Sequence, residues 1–285
     1  MPEGDTVWRT AHQLAAVLTD QRLAAADLRV PAHATAHLAG WWVRGVRSRG
    51  KHILMDLAPG PGATDPVPGA PDATPTLALH TTLGMDGSWR VFAVGERWRG
   101  GRAFTIRATL STDTHTTVGY SLPHVDLWRT PRETAELAHL GPDLLGPDWD
   151  PQLAIARLQA DPARPLGDAL LDQRCLAGVG NVYKSELCFL GGVHPASPVG
   201  EVPDLHAIVE QAHRLLLLNR ASFTRVTTGD RRRPLWVYGR RGQPCRRCGT
   251  VVAGTQLGPP GRTRSTYWCP RCQPAPAVGA GLTTL

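Results

Sequence analysis

The spacing of hydrophobic residues along the chain changes once, near residue 130. Residues 5–19 repeat apolar side chains at helical intervals, and Asp5 is placed to cap the first turn of the predicted helix. Short stretches rich in β-branched and aromatic residues follow: VRGVRSRGKHILMDL, TLALHTTL, GSWRVFAV, AFTIRATL and HTTVGYSL. These stretches predict the strands of a β-sandwich or barrel.

Beyond residue 130 the apolar positions follow helical spacing. The predicted helices lie in TPRETAELAHL, PQLAIARLQ, PLGDALLDQRCLA, NVYKSELCFLGG and DLHAIVEQAHRLLLL. A boundary near residue 130 therefore separates a β domain from a helical domain, which is an α+β multidomain organisation.

Two segments lack any periodic pattern. Residues 58–75, reading APGPGATDPVPGAPDATP, are too rich in proline and glycine for regular structure and predict a flexible, dispensable insertion. Residues 274–285 have low complexity and predict a disordered tail.

The composition is typical of a globular protein, with 42% hydrophobic and 19% charged residues in a chain of 285. No apolar run reaches the length of a membrane span, and the start MPEGDTVWRT does not resemble a secretory signal. These features predict a cytoplasmic protein without a membrane partner.

The net charge of +7 is unevenly distributed. Twelve arginines and one acid, Asp230, lie between Arg220 and Cys272, so this segment carries +11 and the first 219 residues carry −4. Such a basic segment is expected to bind a polyanion, most often nucleic acid. A merely solubilising basic tail is the alternative, which the interleaved aromatic residues Trp236 and Tyr267 disfavour.

Four of the six cysteines form two CxxC pairs separated by 20 residues. This spacing suits a tetrahedral zinc site on a β-ribbon, where four thiolates leave the metal closed and purely structural. The predicted ligands of one zinc ion are Cys245, Cys248, Cys269 and Cys272. Two disulfide bonds are the alternative, which a chain without an export signal disfavours.

Lysine is rare in this chain, because only Lys51 and Lys184 occur among 31 basic residues. A lysine ammonium can shift its pKa and exchange protons near neutrality, which a guanidinium cannot do. Lys51 is therefore a candidate for chemistry, whereas Lys184 is interpreted as chance under codon bias. His52 and His80 are interpreted as strand residues that pack or bond locally.

The start of the chain offers a nucleophile if Met1 is removed, which the small residue Pro2 permits. The chain end is then a secondary amine with a pKa of about 8, so a useful fraction is neutral near neutrality. Glu3 beside it can supply or accept a proton. An ordinary frayed terminus is the alternative.

A glycine-rich turn, Gly178-Val179-Gly180-Asn181, separates two predicted helices. Backbone amides at the start of the second helix, together with the side chain of Asn181, can hold a phosphate. A plain packing joint between the helices fits the pattern equally well.

These motifs together resemble the formamidopyrimidine-DNA glycosylase and endonuclease VIII family, and most of all its actinobacterial endonuclease VIII members. The resemblance rests on PEGDTVWR, RGKHIL, LGMDGSWRVF, LLDQRCLAGVGNVYKSELCF and the cysteine ribbon. It implies a β-sandwich flanked by helices in residues 1–130, a helix-two-turns-helix domain in 131–235 and a zinc ribbon in 236–273. It also implies that DNA is bound in the cleft between the lobes.

The resemblance implies roles for five residues. Pro2 is similar to the nucleophile that attacks C1′ of the damaged nucleotide, and Glu3 to the acid that protonates the opening sugar. Lys51 matches the strand lysine that assists base loss and elimination. Arg264 matches the ribbon arginine that holds a phosphate and promotes the second elimination, and Asn181 the asparagine that grips a phosphate beside the lesion.

The chain departs from the family pattern in two loops. Gly84 stands where endonuclease VIII enzymes often have a glutamine that fills the hole left by the flipped base, so Met85 is the candidate wedge. The Asp-Pro-Arg-Arg-Phe-Gly loop of the formamidopyrimidine branch is absent, and Arg129 in its place resembles a DNA contact of the endonuclease VIII branch.

The implied function is that of a bifunctional DNA glycosylase and abasic-site lyase, acting mainly on oxidised pyrimidines by β,δ-elimination. A monomer that binds damaged double-stranded DNA near the nucleoid is expected, and binding of single-stranded DNA is left open. A purine-directed formamidopyrimidine glycosylase and a non-catalytic lesion-binding protein are the alternatives.

Overall fold

The computed structural model divides the chain into two units, Met1–His139 and Leu140–Leu285. It describes residues 2–61, 76–258 and 263–276. Most of the predicted insertion at 58–75 and of the predicted tail at 274–285 lies outside these described residues. Within them, no helix combines the length and the apolar character needed to cross a membrane.

Unit 1 is a β-sandwich with a helix before its first strand and another after its last. The helices are α1 (Gly4–Leu18) and α2 (Thr130–Leu137). The strands are β1 (Gln21–Arg22), β2 (Ala25–Leu28), β3 (Trp42–Arg49), β4 (His52–Ala58), β5 (Leu77–Thr82), β6 (Ser88–Ala93), β7 (Ile106–Ser111), β8 (His115–Tyr120) and β9 (His124–Arg129). They form two antiparallel sheets, ordered β1-β3-β4-β5-β9 and β2-β7-β8-β6. The predicted sandwich is confirmed.

The side chains of the five-stranded sheet alternate between the sandwich core and an outer face. On β4, Ile53 and Met55 are buried in the core that both sheets share, and so is Leu127 on β9. The intervening positions, which include His52 and His80, point away from that core. The outer face is therefore available for polar groups.

Helix α1 fixes the start of the chain against unit 1. Val7, Ala11, Leu14 and Leu18 recur at helical spacing and are buried in the same core. Each buried leucine contributes about 2 kcal/mol, which opposes fraying of this terminal helix. The helix begins one residue earlier than predicted, so Asp5 lies inside the first turn and does not cap it.

Helix α2 belongs to unit 1, so the division between the units falls after His139 and not near residue 130. Leu137 of α2 packs against Leu54, Ala78 and Trp128 on the outer face of the five-stranded sheet. This apolar patch holds α2 on the sheet of unit 1. The hydrophobic pattern of α2 is helical, like that of unit 2, and did not indicate to which unit the helix belongs.

The described part of unit 2 combines four α-helices with a β-ribbon. The helices are α3 (Pro151–Gln159), α4 (Leu166–Leu171), α5 (Asn181–Leu190) and α6 (Leu205–Asn219), and the ribbon strands are β10 (Ala253–Leu257) and β11 (Arg264–Trp268). Side chains of all four helices share one core. A second cluster packs Phe189 of α5 with Val237 and Val252 beside the ribbon cysteines.

The turn before α5 is held by one side chain, that of Gln173. Its Nε2 donates to the carbonyl oxygens of Leu171 and Val179 at 2.8 and 3.0 Å, and its Oε1 accepts from the amide of Gly178 at 3.0 Å. Gly178 has a φ of +115°, which favours glycine. The helix predicted through PLGDALLDQRCLA therefore stops at Leu171.

Candidate active site

A cavity of about 800 Å³ in unit 1 is lined by three of the predicted site residues, Pro2, Lys51 and Met85. Pro2 is half-buried directly before α1, and the neighbouring Glu3 is fully buried with 0% exposure. Because α1 is anchored in the core, Pro2 and Glu3 have a defined position. The structure thus places Pro2, whose nitrogen is the terminal amine once Met1 is removed, at the same cavity as Lys51.

Lys51 reaches the cavity through a tight hairpin. β3 and β4 are joined through Gly50 and Lys51, with Arg49 paired to His52. Gly50 has a φ of +57°, a conformation that favours glycine and closes the turn. The RGKHIL motif is therefore a turn motif whose lysine projects from the end of two core strands.

Polar residues of the outer sheet face line the same cavity. His52 Nδ1 lies 2.8 Å from His80 Nε2, and Thr82 Oγ1 lies 2.9 Å from His124 Nδ1. Burial lowers the pKa of both His52 and His80 to about 4. Both imidazoles are therefore neutral near neutral pH, and neither adds a positive charge beside Lys51.

The loop between β5 and β6 presents Met85 at the cavity with 60% of its surface exposed. Gly84 before it has a φ of +55°, and a Cβ there would meet Pro123 Cγ at 2.8 Å. A glutamine would therefore be strained at position 84. This local geometry explains the departure from the family pattern and leaves Met85 as the exposed side chain of the turn.

Arg129 does not line this cavity. It is the last residue of β9, paired with Leu77 at the end of the strand opposite His124. The segment VDLWR, which occupies the place of the absent family loop, is part of strand β9. The role of Arg129 as a DNA contact stays a prediction.

In unit 2, Asn181 lies beside the strand that carries Arg264. Its Nδ2 donates to the carbonyl oxygen of Ser265 at 2.7 Å, and its Oδ1 is buried without a hydrogen-bond partner among the described residues. Arg264 begins β11 and is exposed, with Nη1 donating to its neighbour's carbonyl oxygen at 3.0 Å. The guanidinium is thus accessible, whereas Asn181 is only 3% exposed and holds the ribbon.

Two residues that sequence reasoning missed also connect α5 to the rest of unit 2. Lys184 is 2% exposed and its Nζ donates to Thr266 Oγ1 at 2.6 Å. The buried carboxylate of Glu186 accepts from the backbone amides of Trp236, Val237 and Tyr238 at 2.8 to 2.9 Å. Two charged residues inside NVYKSELCFL, a segment predicted as a helix with a buried apolar side, were the available signal.

The predicted metal ligands converge at the base of the ribbon. Their Sγ atoms all lie within 4.8 Å of one another, and Cys248 Sγ is 3.4 Å from Cys269 Sγ. Four clustered thiols are the donor set that a tetrahedral structural zinc ion takes. The amide of Arg247 donates to Cys245 Sγ at 3.4 Å, as in a metal-binding knuckle.

Family models match nearly the whole chain. Residues 1–128 match the formamidopyrimidine-DNA glycosylase N-terminal domain, residues 140–221 match the formamidopyrimidine-DNA glycosylase H2TH domain, and residues 242–275 match a zinc finger found in FPG and IleRS.

Curated relatives extend this similarity over the full length. The chain is 51% identical over 286 residues to a Streptomyces coelicolor protein named "Probable endonuclease 8 2", covering 100% of this chain and 98% of the relative. It is 43% identical over 277 residues to the Mycolicibacterium smegmatis "DNA-(apurinic or apyrimidinic site) lyase Nei2", covering 96% and 100%.

Solved structures share the fold. A Lactococcus lactis Fpg in complex with DNA containing an oxidised pyrimidine superposes with a TM-score of 0.75 at 20% identity, covering 96% of this chain and 100% of that one. A complex of the same enzyme with DNA containing an abasic site gives the same values.

Proposed function

The chain belongs to the formamidopyrimidine-DNA glycosylase and endonuclease VIII family, and from this premise we propose that it is a bifunctional DNA glycosylase and abasic-site lyase. The observation that carries the proposal is the cavity shared by Pro2 and Lys51. Glu3, the next residue along the chain after Pro2, is buried. An amine, an ammonium and a carboxyl are the groups that Schiff-base chemistry at a sugar requires.

In the proposed reaction the lone pair of the neutral Pro2 nitrogen attacks C1′, the base leaves with the electron pair of its bond to C1′, and the attached nitrogen loses its proton to solvent. The iminium forms when the C1′–O4′ bond of the sugar ring then breaks. Glu3 donates the proton that opens the sugar ring, and Lys51 assists departure of the base. The iminium acidifies the C2′ proton, so loss of that proton breaks the C3′–O bond. Arg264 stabilises the phosphate that leaves in the second elimination.

The proposed substrates are oxidised pyrimidines and abasic sites in duplex DNA, bound by a monomer in the cytoplasm beside the chromosome. The absence of the Asp-Pro-Arg-Arg-Phe-Gly loop and the similarity to a protein named endonuclease 8 support a pyrimidine preference. The target nucleotide must leave the base stack, which is least costly for a damaged base. Met85 is the proposed wedge that occupies its place.

One zinc ion is proposed to complete the ribbon, held by the four clustered cysteines. When bound, it supplies folding free energy and no reaction chemistry, because four thiolates fill its coordination sphere.

The test is covalent trapping with sodium borohydride on three duplexes, which contain an abasic site, 5-hydroxyuracil or 8-oxoguanine. Pro2→Gln retains Met1 and moves the terminal amine, so the trapped adduct is expected to disappear. Glu3→Gln is expected to lose base excision by about 100-fold or more while keeping cleavage of abasic sites. The control is Asp113→Asn, which alters an exposed carboxylate outside the cavity.

Mass spectrometry first establishes that Met1 is absent from the wild type. Adducts on the abasic and 5-hydroxyuracil duplexes support the proposal, whereas a strong preference for 8-oxoguanine favours the purine-directed alternative. Binding without any adduct overturns the enzymatic proposal and favours a lesion-binding protein.

A further inference from the structure

A basic segment lies in unit 1, on the connection between β6 and β7. Residues 88–107 contain five arginines and one acid, Glu96, so they carry +4, although the first 219 residues together carry −4. None of these arginines forms an ion pair with a carboxylate in the part of the chain that the structure describes. Their charge is therefore available to a ligand. The five are Arg90, Arg97, Arg99, Arg102 and Arg107.

Exposed apolar side chains collect on the same connection. Nine large apolar side chains are exposed among the described residues, and four of them lie between residues 91 and 104. Two of the four are aromatic, namely Trp98 with 40% exposure and Phe104 with 71%, and the others are Val91 and Val94. Clustered apolar surface of this kind is typical of an interaction site. We call residues 94–105 the arginine-aromatic loop.

The outer face of the four-stranded sheet supports this loop. An apolar cluster lies on that face, apart from the core that both sheets share, and consists of Phe92, Ile106, Val118 and Tyr120. The loop crosses the cluster at Gly101, where a Cβ would lie 2.2 Å from Cδ1 of Tyr120. The loop backbone therefore packs directly on the aromatic ring, an approach that glycine allows. The arginines and rings of the loop are thus presented on a fixed support.

A short turn holds Phe104 at the surface. The amide and the hydroxyl of Thr105 both donate to the carbonyl oxygen of Arg102, at 2.9 and 2.7 Å. Arg107 Nη1 donates to the carbonyl oxygen of Phe104 at 2.9 Å. The guanidinium carbon of Arg102 lies 5.9 Å from the centroid of the Phe104 ring. An exposed ring and a cation are therefore neighbours on a hydrogen-bonded backbone.

The arginine-aromatic loop adjoins the cavity of the candidate active site. Ser121 lines that cavity, and its amide donates to the carbonyl oxygen of Thr105 at 2.7 Å. Thr105 directly follows Phe104 in the chain. The loop is thus continuous with the rim of the site at which the proposed reaction takes place.

The two kinds of side chain on the loop match two parts of an unpaired nucleic-acid strand. Guanidinium groups bind phosphates, and exposed aromatic rings stack on bases that lack a pairing partner. In a duplex the bases stack on one another inside the helix, where surface rings do not reach them. An acidic peptide would pair with the arginines and would give the rings no planar partner.

We propose that the arginine-aromatic loop binds single-stranded DNA. Phe104 and Trp98 stack on bases, and Arg99 and Arg102 contact phosphates. The site goes beyond the proposed function, because binding requires no reaction. The choice of DNA over RNA rests on the proposed function, through the contact between the loop and the cavity rim.

The experiment measures fluorescence anisotropy of a labelled, undamaged oligothymidylate of about ten nucleotides at several salt concentrations. Phe104→Ala is expected to weaken binding by about tenfold with the same salt dependence, because one stacked base is lost. The double variant Arg99→Gln/Arg102→Gln is expected to make the slope of log K against log salt shallower by about 1.4, since each phosphate contact on a single strand contributes about 0.7.

Two matched controls separate stacking and local charge from general effects. Phe104→Trp keeps a ring and is expected to stay within about threefold of the wild-type affinity, whereas Phe104→Leu is expected to weaken binding as alanine does. The charge-matched control is Arg29→Gln/Arg44→Gln, because these arginines of unit 1 lie 2.7 and 3.7 Å from the carboxylates of Asp27 and Asp20. It is expected to leave the salt slope unchanged.

Photocrosslinking locates the site directly. An oligothymidylate that carries 5-bromouracil is expected to crosslink to peptides containing Trp98 or Phe104, as identified by mass spectrometry. Wild-type affinity in Phe104→Ala overturns the proposal, and so do crosslinks confined to the segment from Arg220 to Cys272.

A blunt duplex and an RNA strand of equal length test the nature of the ligand. Duplex affinity that falls in Phe104→Ala as much as single-strand affinity overturns the proposal, and tighter binding of RNA than of DNA overturns the choice of DNA. All of these assays use undamaged nucleic acid. A failure of borohydride trapping therefore refutes the proposed function alone, and the two failures are distinguishable.

Discussion

Lys184 illustrates how a single residue acquires a role through its surroundings. Its ammonium is buried between α5 and β11, where it donates to Thr266 Oγ1 at 2.6 Å. Thr266 Oγ1 in turn donates to the carbonyl oxygen of Arg264 at 3.1 Å. The lysine therefore acts on the backbone that presents the Arg264 guanidinium. Its interpretation as chance under codon bias does not account for these contacts.

Replacement of Lys184 tests this role. Lys184→Met keeps the length of the side chain and removes the donor, so we expect the free energy of unfolding to fall by about 1–2 kcal/mol. We also expect the second elimination, which depends on Arg264, to slow by about tenfold relative to the first. Denaturant unfolding and the ratio of the two cleavage products on gels measure these effects.

Thr266→Val removes the acceptor of the Lys184 hydrogen bond. We expect it to lower the free energy of unfolding and to slow the second elimination as Lys184→Met does. Thr255→Val changes a threonine on the paired strand β10 and serves as the control. An unchanged product ratio in Lys184→Met would refute the link to Arg264.

At the level of elements, α5 is the support of the ribbon. Asn181 and Lys184 lie three residues apart on one helical face and both contact the strand of Arg264. Glu186 holds the segment before the ribbon through three backbone amides. Side chains of one helix thus position a ribbon whose own hydrophobic cluster is small.

Metal removal probes this element directly. Because the ribbon has few buried apolar side chains, we expect a chelator to unfold it while the helical core of unit 2 persists. The fluorescence of Trp236 and Trp268 should change, and affinity for abasic DNA should fall by at least about tenfold.

Cys248→Ser removes one metal ligand and is expected to reproduce the effect of the chelator when no chelator is added. Cys175→Ala, which alters a buried thiol outside the metal cluster, is the control. A ribbon that keeps its fluorescence and DNA affinity after metal removal would contradict a structural metal.

At the scale of the whole molecule, the basic residues are concentrated in one part of the chain. The segment from Arg220 to Cys272 carries +11, whereas the sandwich of unit 1 lies within the part of the chain that carries −4.

The long connection between β4 and β5 joins strands that are already paired, since Leu57 is the register partner of Leu77. A short turn can therefore replace most of that connection.

We expect replacement of residues 62–75 by Gly-Ser to raise the free energy of unfolding by up to about 1 kcal/mol, because a shorter loop costs less closure entropy. Cleavage of abasic DNA should be unchanged. Thermal unfolding and the trapping assay measure both quantities, and a variant with residues 62–75 in shuffled order controls for length. Loss of trapping in the shortened protein would give this segment a role in function.

Local patterns were sufficient to predict most helices and strands of both units, because hydrophobic periodicity depends only on neighbours in the chain. The same holds for the four cysteines, whose spacing alone limits the geometry of the site. Lys51 was predictable from composition, and its turn from Gly50. Strand β9, His124–Arg129, was not among the strands predicted from the hydrophobic pattern.

By itself, the sequence determined the types of the elements, the metal ligands and the candidate nucleophile, since each depends on residues close together in the chain. Only the tertiary structure decided that His52 meets His80, that Lys184 meets Thr266 and that Gly84 faces Pro123. These contacts join residues that are 28, 82 and 39 positions apart, respectively, so they depend on strand register and on packing between elements. Periodicity along the chain carries no information about such distances.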